Sequence, residues 1–560
     1  MKLAEAPETA APRTGARASS FLGALPLDDL ERQVADGPFE QAYGFTALYE
    51  DGRWLSRKWS QGSTVSDALE RAFEQASEEA TQAQPTEVVV VVPYDYSPLN
   101  EKTHAHVLSN VHRGVHGAGI WHGNRALLVS PTEVIARNQT LATLLDRLAE
   151  DLGRDLTELM AENRAFSFRA RQFFVRLGPG PRSVEMLRGS ELVDLKAVTR
   201  ERVQQFEREM SQWMLNNVQR DGRMTYMYLP SRSAEEAGNN MIRQSMATAC
   251  LGRIARRGLT LGSERSARHV ADLNLRYHLD RFYRQDGRLG FIERQGKAYL
   301  GSAALTLIAI LENPERHELS AQEEGLRATI DHLWQKDGSF RTWLRPATRN
   351  DNQNFFPGEA LLAWSLLYKQ ERDPHLLNRF MASYGYYRNW HLRNRDPAFV
   401  PWHTQAYCQL LDVEQPPGLG DWVFEMNDWL LGMQARSMQV YEDTLGRFYD
   451  PERPFGPPHA SSTGVYLEGL IDAFCLARSV QDLRRVRAYR RAILHGLRSA
   501  LQLEYLGDAG LFYVSARERV RGGLRTSVYN NKVRVDNVQH VLMGVQKILQ
   551  QFEAEDFEPY

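Results

Sequence analysis

Beyond a Gly-Pro-Gly-Pro stretch at residues 178–181, the chain repeats one plan six times. Each repeat is a charged amphipathic helix, a loop with Gly and aromatic residues, and then a helix apolar almost all round. The apolar helices are predicted to begin near Asn239, Tyr299, Phe355, Val400, Ser461 and Val533. The charged helices differ. In QDLRRVRAYRRAILHGLRSALQ, Leu483, Val486, Ile493, Leu494, Leu497 and Leu501 share one face and arginines hold the other. One set must be enclosed on every side while the other meets water along a stripe. Two concentric rings of six helices satisfy both patterns, so residues 185–552 are expected to form an (α/α)6 toroid.

The 560 residues leave room for a companion domain. Lys and Arg number 68 against 70 Asp and Glu, a net charge of -2, which offers no electrostatic footprint for nucleic acid. With 42% hydrophobic and 25% charged residues the chain has a globular balance, and no apolar run approaches the ~20 residues of a membrane span. Cys250, Cys408 and Cys475 lack CxxC spacing, so neither a disulfide framework nor a zinc site is expected, and a reducing compartment fits best. The N-terminal MKLAEAPETAAPRTGARASS has no signal-peptide pattern. Residues 1–24 therefore read as a disordered tail and the protein as cytoplasmic.

Residues 25–180 read as a smaller α/β domain ahead of the toroid. TALYEDGRWLSRKW is a hairpin turning at Asp-Gly. TVSDALERAFEQASEEATQ is an amphipathic helix capped by Thr64, with Val65, Leu69, Ala72, Phe73 and Ala76 on one face. EVVVVVP is a buried strand, GAGIWHGNRALLVSP a second hairpin turning at His122–Asn124, and Leu141–Leu152 a closing helix. His104, His106, His112, His116 and His122 are locally rich in histidine, but their spacing fits no standard ligand set. The order of helix, buried strand, G-x-G hairpin, S-P-T-E segment and closing helix over Gly44–Leu177 resembles the AMMECR-family α/β domain, although that family's Arg-Gly-Cys-Ile-Gly stretch has no counterpart here. That resemblance implies a fold and no activity.

Several connections between paired helices share a phrase: QRDGRMTYMYLP, RQDGRLGFIERQ, QKDGSFRTW and TLGRFYDPERP. Gly accepts the positive φ that turns the chain back. These phrases resemble the Gln-x-x-Asp-Gly-Ser-Trp turns of terpene cyclases and the Asp-Gly turns of six-hairpin, (α/α)6-toroid carbohydrate-active enzymes. The second resemblance implies a glycosidase- or epimerase-like protein whose cleft lies where the long loops gather, at the N-termini of the apolar helices.

Residues collected at those starts supply the candidates. Glu468, Glu359 and Asp536 are candidate catalytic acids, and His403 is a candidate acid or base. Arg243, Asn240, Tyr228, Trp402, Arg534 and His540 are candidates for binding substrate, since aromatic rings stack on sugar faces and polar groups bond hydroxyls. Each also has a structural explanation. Glu359 stands where a negative charge favours the helix dipole, Asp536 where it could cap, and Arg243 and Arg534 could pair with Glu468 or Asp536. Glu468 lies deeper in an apolar helix and must find a partner or face a cavity.

No Walker sequence, dinucleotide fingerprint, Gly-x-Ser-x-Gly elbow or Asp-x-Asp-Asp is present. The expected protein is an enzyme on a glycan or uronic-acid-containing saccharide, acting by hydrolysis, elimination or epimerisation without metal or cofactor. A scaffold that holds a ligand without chemistry and a peptide- or isoprenoid-modifying toroid are the alternatives. Oligomeric state stays open.

Overall fold

The computed structural model describes residues 21–35, 41–80, 83–123, 125–258, 266–436, 441–450, 452 and 459–558. It divides into two compact units. One holds the residues up to Leu192 together with Leu506–Arg517; the other holds Val193–Tyr505 and Glu518–Tyr560.

The first unit is built on a seven-stranded sheet, antiparallel throughout. Its strands are β1 (Ala42–Glu50), β2 (Arg53–Gly62), β3 (Glu87–Pro98), β4 (His116–His122), β5 (Arg125–Val129), β6 (Ala165–Arg176) and β7 (Arg182–Met186), in the order β2-β1-β3-β6-β4-β5 with β7 on β6. Val88 to Val92 are buried on both faces of β3, which explains the unbroken β-branched run. Helix α1 (Val65–Glu79) starts behind Thr64, whose side chain accepts from Asp67 N, and packs Leu69 and Phe73 against that sheet. Helix α2 (Leu141–Asp151) buries Leu141, Leu144 and Leu145 in a second cluster with Ile120 of β4.

Two expectations need amending. Up to Ser20 the expected tail lies outside the described residues, but Phe21 and Leu22, which fall within its bounds, are core residues, and the Phe21 ring stacks on Phe73 at 4.8 Å. Residues 178–181 join β6 to β7 as a connection within one sheet, where Arg176 pairs with Arg182.

The second unit is a ring within a ring. Six enclosed helices, α4 (Met241–Arg257), α6 (Leu300–Glu312), α8 (Phe356–Glu371), α10 (Phe399–Leu411), α12 (His459–Ser479) and α14 (Val535–Gln551), each touch the next, and α14 touches α4 to close the circuit. Every residue of α6 is buried. The outer helices are α3 (Arg200–Asn216), α5 (Ala267–Phe282), α7 (Ser320–Leu333), α9 (Pro374–Arg393), α11 (Leu419–Leu431) and α13 (Leu483–Gln502). Each backs an inner helix, with α3 lying on α14. On α13, Tyr489, Ile493, Leu494, Leu497 and Leu501 turn inward, whereas Leu483 in the first turn is exposed.

The Asp-Gly turns and their relatives fix how the loops fold back. Gly446 has φ +85°, and a Cβ there would overlap the His495 carbonyl oxygen of α13, so the turn rests on the outer helix backbone through a residue without a side chain. Strand Asn530–Arg534 pairs with Met227–Leu229, Val533 opposite Tyr228, and ties the last loop to the first. No described helix is long and apolar enough to cross a membrane.

Candidate functional site

The N-termini of α4, α12 and α14 bring most of the polar candidates together. Helices α12 and α14 approach closely because Gly464 leaves room: a Cβ there would press on the backbone of His540 and Val541. Gly544, one turn further along α14, meets Leu467 and Gly464 in the same way. Glu468 is four residues after Gly464 and His540 four before Gly544, so each stands on the contact face beside its glycine. The result is a direct bond, His540 Nδ1 to Glu468 Oε1 at 2.7 Å. Glu468 is 0% exposed and His540 13%. The indole of Trp402, on α10, meets the His540 ring edge-on with centroids 5.9 Å apart.

Above this pair lies a charge cluster. Arg534 grips Asp536 through Nε and through Nη2, the latter at 2.8 Å, and Arg243 Nε reaches the same carboxylate at 2.9 Å. Burial opposes ionisation of Asp536, but the two guanidiniums outweigh it and hold the carboxyl below its ordinary range. Two arginines against one carboxylate leave the cluster with one net positive charge. Arg243 also donates through Nη1 to Tyr226 Oη at 2.6 Å, and its side chain remains 36% exposed. A ligand carboxylate or phosphate would find its free guanidinium edge here.

Below the pair, Lys547 Nζ donates to Gln405 Oε1 and to the Glu468 carbonyl at 3.0 Å each, and to Asp472 Oδ2 at 2.7 Å. This partly buried link between α10, α12 and α14 was not anticipated from the sequence. A lysine late in a helix ordinarily reads as a solvent-facing charge; its spacing of seven from His540, on one helix face, was the available signal.

Other candidates are placed elsewhere. His403 is a core residue rather than an acid or base: its ring stacks on Phe399 at 3.5 Å, Nδ1 bonds the Phe399 carbonyl at 3.0 Å, and burial pushes its pKa down to about 3. Glu359 is buried beside Gly301 of α6, its Oε2 without a hydrogen-bond partner, and burial lifts its pKa to about 8. It stands on α8, which α10 separates in the ring from α12, the helix that carries Glu468. Asn240 caps α4, accepting from Arg243 N at 3.2 Å. Tyr228 is buried in the small sheet with Arg519 over its ring at 5.0 Å, so that face is unavailable for stacking on a sugar.

The three cysteines are free, Cys250 and Cys408 buried and Cys475 partly so. In the first unit His106 Nε2 and His112 Nε2 approach to 3.0 Å, and burial lowers the pKa of His112 and His116 to about 4. Among the described residues, Glu315, His317 and Glu318 are the group whose ligand atoms converge as a metal would require, and two of the three are exposed.

No family model matches the chain, and no curated protein does. Solved structures do align with it. A D-mannose isomerase matches at 10% identity over 63% of this chain and 98% of its own, with a TM-score of 0.48. An unsaturated glucuronyl hydrolase specific for heparin matches at 12% identity, over 62% and 97%, with a TM-score of 0.44. The GH76A α-1,6-mannanase of Salegentibacter sp. HEL1_6 matches at 11% identity, over 63% and 98%, with a TM-score of 0.43.

Proposed function

We propose that the toroid unit is a saccharide-directed enzyme whose reaction passes a proton between a substrate carbon and His540, as an epimerisation or an elimination does. The observation that supports this reading is the His540–Glu468 pair, with Nδ1 2.7 Å from Oε1 of a fully buried carboxyl. A carboxylate there accepts the Nδ1 proton, holds one tautomer and leaves the Nε2 lone pair for substrate. When Nε2 takes a proton from a carbon beside a carbonyl or carboxylate, Glu468 stabilises the imidazolium. Arg243 answers the negative charge that collects on the substrate oxygen. Delivery of a proton to the opposite face of that carbon, by water or a second acid, completes an epimerisation, and departure of the oxygen substituent on the next carbon, which takes up the proton held by His540, completes an elimination. Trp402 supplies the apolar wall on which a sugar ring rests.

Hydrolysis by two carboxyl groups fits less well. It asks for two acids flanking the scissile bond with separate protonation duties. Asp536 is committed to two arginines, and Glu359 is sealed against Gly301. The net positive cluster favours a uronate or another anionic sugar at the mouth.

Deuterium wash-in tests the proposal. In D2O the protein, incubated with uronic-acid-containing oligosaccharides, is expected to exchange one carbon-bound proton, seen by NMR. His540→Ala is expected to slow that exchange by ~10²–10⁴ per folded molecule, the folded fraction being read from its melting curve. Exchange at the parent rate in a folded His540→Ala protein would remove the histidine from the mechanism.

A further inference from the structure

A cavity of about 420 Å3 opens where the loop before α8 meets the connection from α9 to α10, and its lining residues include Trp390, Asn352, Asn354 and Asn394. None of the residues argued above to move a proton lines it. We infer that this cavity is a binding subsite for an uncharged sugar residue, so that the substrate is an oligosaccharide extending from the toroid mouth onto its rim. The inference rests on the saccharide reading and deepens it.

The amides carry the chemistry. Asn352 Nδ2 donates to Asp351 Oδ2 at 2.8 Å, Asn354 Nδ2 to Asp396 Oδ2 at 2.8 Å, and Asn394 Nδ2 to the Trp390 carbonyl at 2.9 Å. Those three partners are acceptors only, which settles which way each amide faces. Each NH2 thus has one N–H engaged inside the protein, and every amide oxygen is left as an acceptor without a partner among the described residues. A wall that carries unspent amide oxygens beside the second N–H of each amide suits a ligand rich in hydroxyls, which both donate and accept.

Its charges are already satisfied. Arg349 chelates Asp351 at 2.9 and 2.6 Å, Asp396 also accepts from Ala398 N at 2.8 Å, and Arg395 Nη2 donates to Glu425 at 3.0 Å. Two arginines against three carboxylates give no attraction for an anion, the reverse of the Arg243 cluster. Trp390 is held by stacking on Phe399 at 5.8 Å, so its ring is ordered before a ligand arrives. Asn352 has φ +65°, a left-handed conformation that Asn tolerates better than most side chains, and Gln353 anchors the loop by accepting from Tyr387 Oη at 2.8 Å. The cavity shares an end of the ring with the proton-transfer pair, because α8 and α10 begin directly beyond its lining residues.

The test titrates the full chain with maltotriose, cellotriose, mannotriose and xylotriose, and with the corresponding monosaccharides, following tryptophan fluorescence and calorimetric heat. These probes carry no charge and so do not draw on Arg243. At least one trisaccharide is expected to bind more tightly than its monosaccharide, with Trp390→Ala weakening it by about tenfold. Asn352→Gly, which suits the positive φ and keeps the loop, is expected to weaken it several-fold. Parent affinity in both folded variants overturns the subsite, as does binding of none of the four trisaccharides, or competition by spermidine in place of sugar. Each of those results leaves the His540 exchange experiment to stand or fall by itself.

Discussion

Arg243, in the first turn of α4, sets its Nε 2.9 Å from Oδ2 of Asp536, in the first turn of α14, so the first and last inner helices of the ring are joined at their N-termini by charge. Arg534 holds the same carboxylate, and its own side chain is only 14% exposed. Asp536→Asn would leave that guanidinium buried against a neutral amide. We expect a loss of roughly 3–5 kcal/mol in urea unfolding at pH 7. The folded carboxyl titrates below its ordinary value of 3.8, so the stabilisation is complete above that value and disappears as pH falls through the lower, folded one. The parent should therefore lose stability towards pH 3 more steeply than Asp536→Asn; parallel acid profiles would show that the ring closure does not depend on this charge.

Glu468→Gln separates orientation of the histidine from support of the fold. The amide keeps the volume and can still meet Nδ1, but it no longer favours the tautomer with Nε2 unprotonated, nor stabilises an imidazolium. Turnover should fall by ~10²–10⁴ with His540 in place. If the pair only stabilises the fold, the same substitution lowers the melting temperature and activity follows the folded fraction. A stable variant with parent activity would end the catalytic reading of Glu468.

Helix positions were legible because enclosure on every side has one sequence signature. The apolar helices expected from Asn239, Ser461 and Val533 begin at Met241, His459 and Val535. Partnerships were less legible. Glu468 and His540 each stood out, but that they touch depends on Gly464 and Gly544 letting two backbones converge, which no property of either polar residue announces. His403 drew notice because it lies near a helix start. Its rotation about α10 points it at Tyr387 and Phe399, and rotation is set by packing against α9 rather than by position along the helix. Lys547 went unnoticed for the opposite reason, a charge far from the mouth whose partners come from two other helices.

The Gly turns allow a matched comparison. Gly446 and Gly287 both have positive φ, +85° and +57°, but only Gly446 lies against other atoms, while around Gly287 a Cβ would meet open space. Gly287→Ala should cost about 1 kcal/mol, the conformational strain alone. Gly446→Ala must also push the turn away from the His495 carbonyl, so its cost in chemical denaturation should exceed that by at least roughly 1–2 kcal/mol. Equal costs would mean that the turn does not bear on α13.

Glu359 makes the pH dependence of the toroid testable at the alkaline end. Burial raises its pKa from 4.5 to about 8, so the folded protein keeps the carboxyl protonated where the unfolded chain has released the proton. Below 4.5 both states hold the proton and the position is neutral for stability. As pH rises towards about 8 the unfolded chain gains from ionising and the folded one does not, so stability falls across that window and levels off above it. A tenfold difference in proton affinity between the two states is worth about 1.4 kcal/mol, which makes the penalty near the upper end of the window several kcal/mol in order of magnitude. Glu359→Gln keeps the shape beside Gly301 and removes the titration. It should melt close to the parent at pH 5 and clearly above it at pH 8, with deuterium exchange at the His540 site unchanged. A variant that melts below the parent at both values would show that Glu359 is ionised and paired in solution, and that α8 holds a charge at its N-terminus after all.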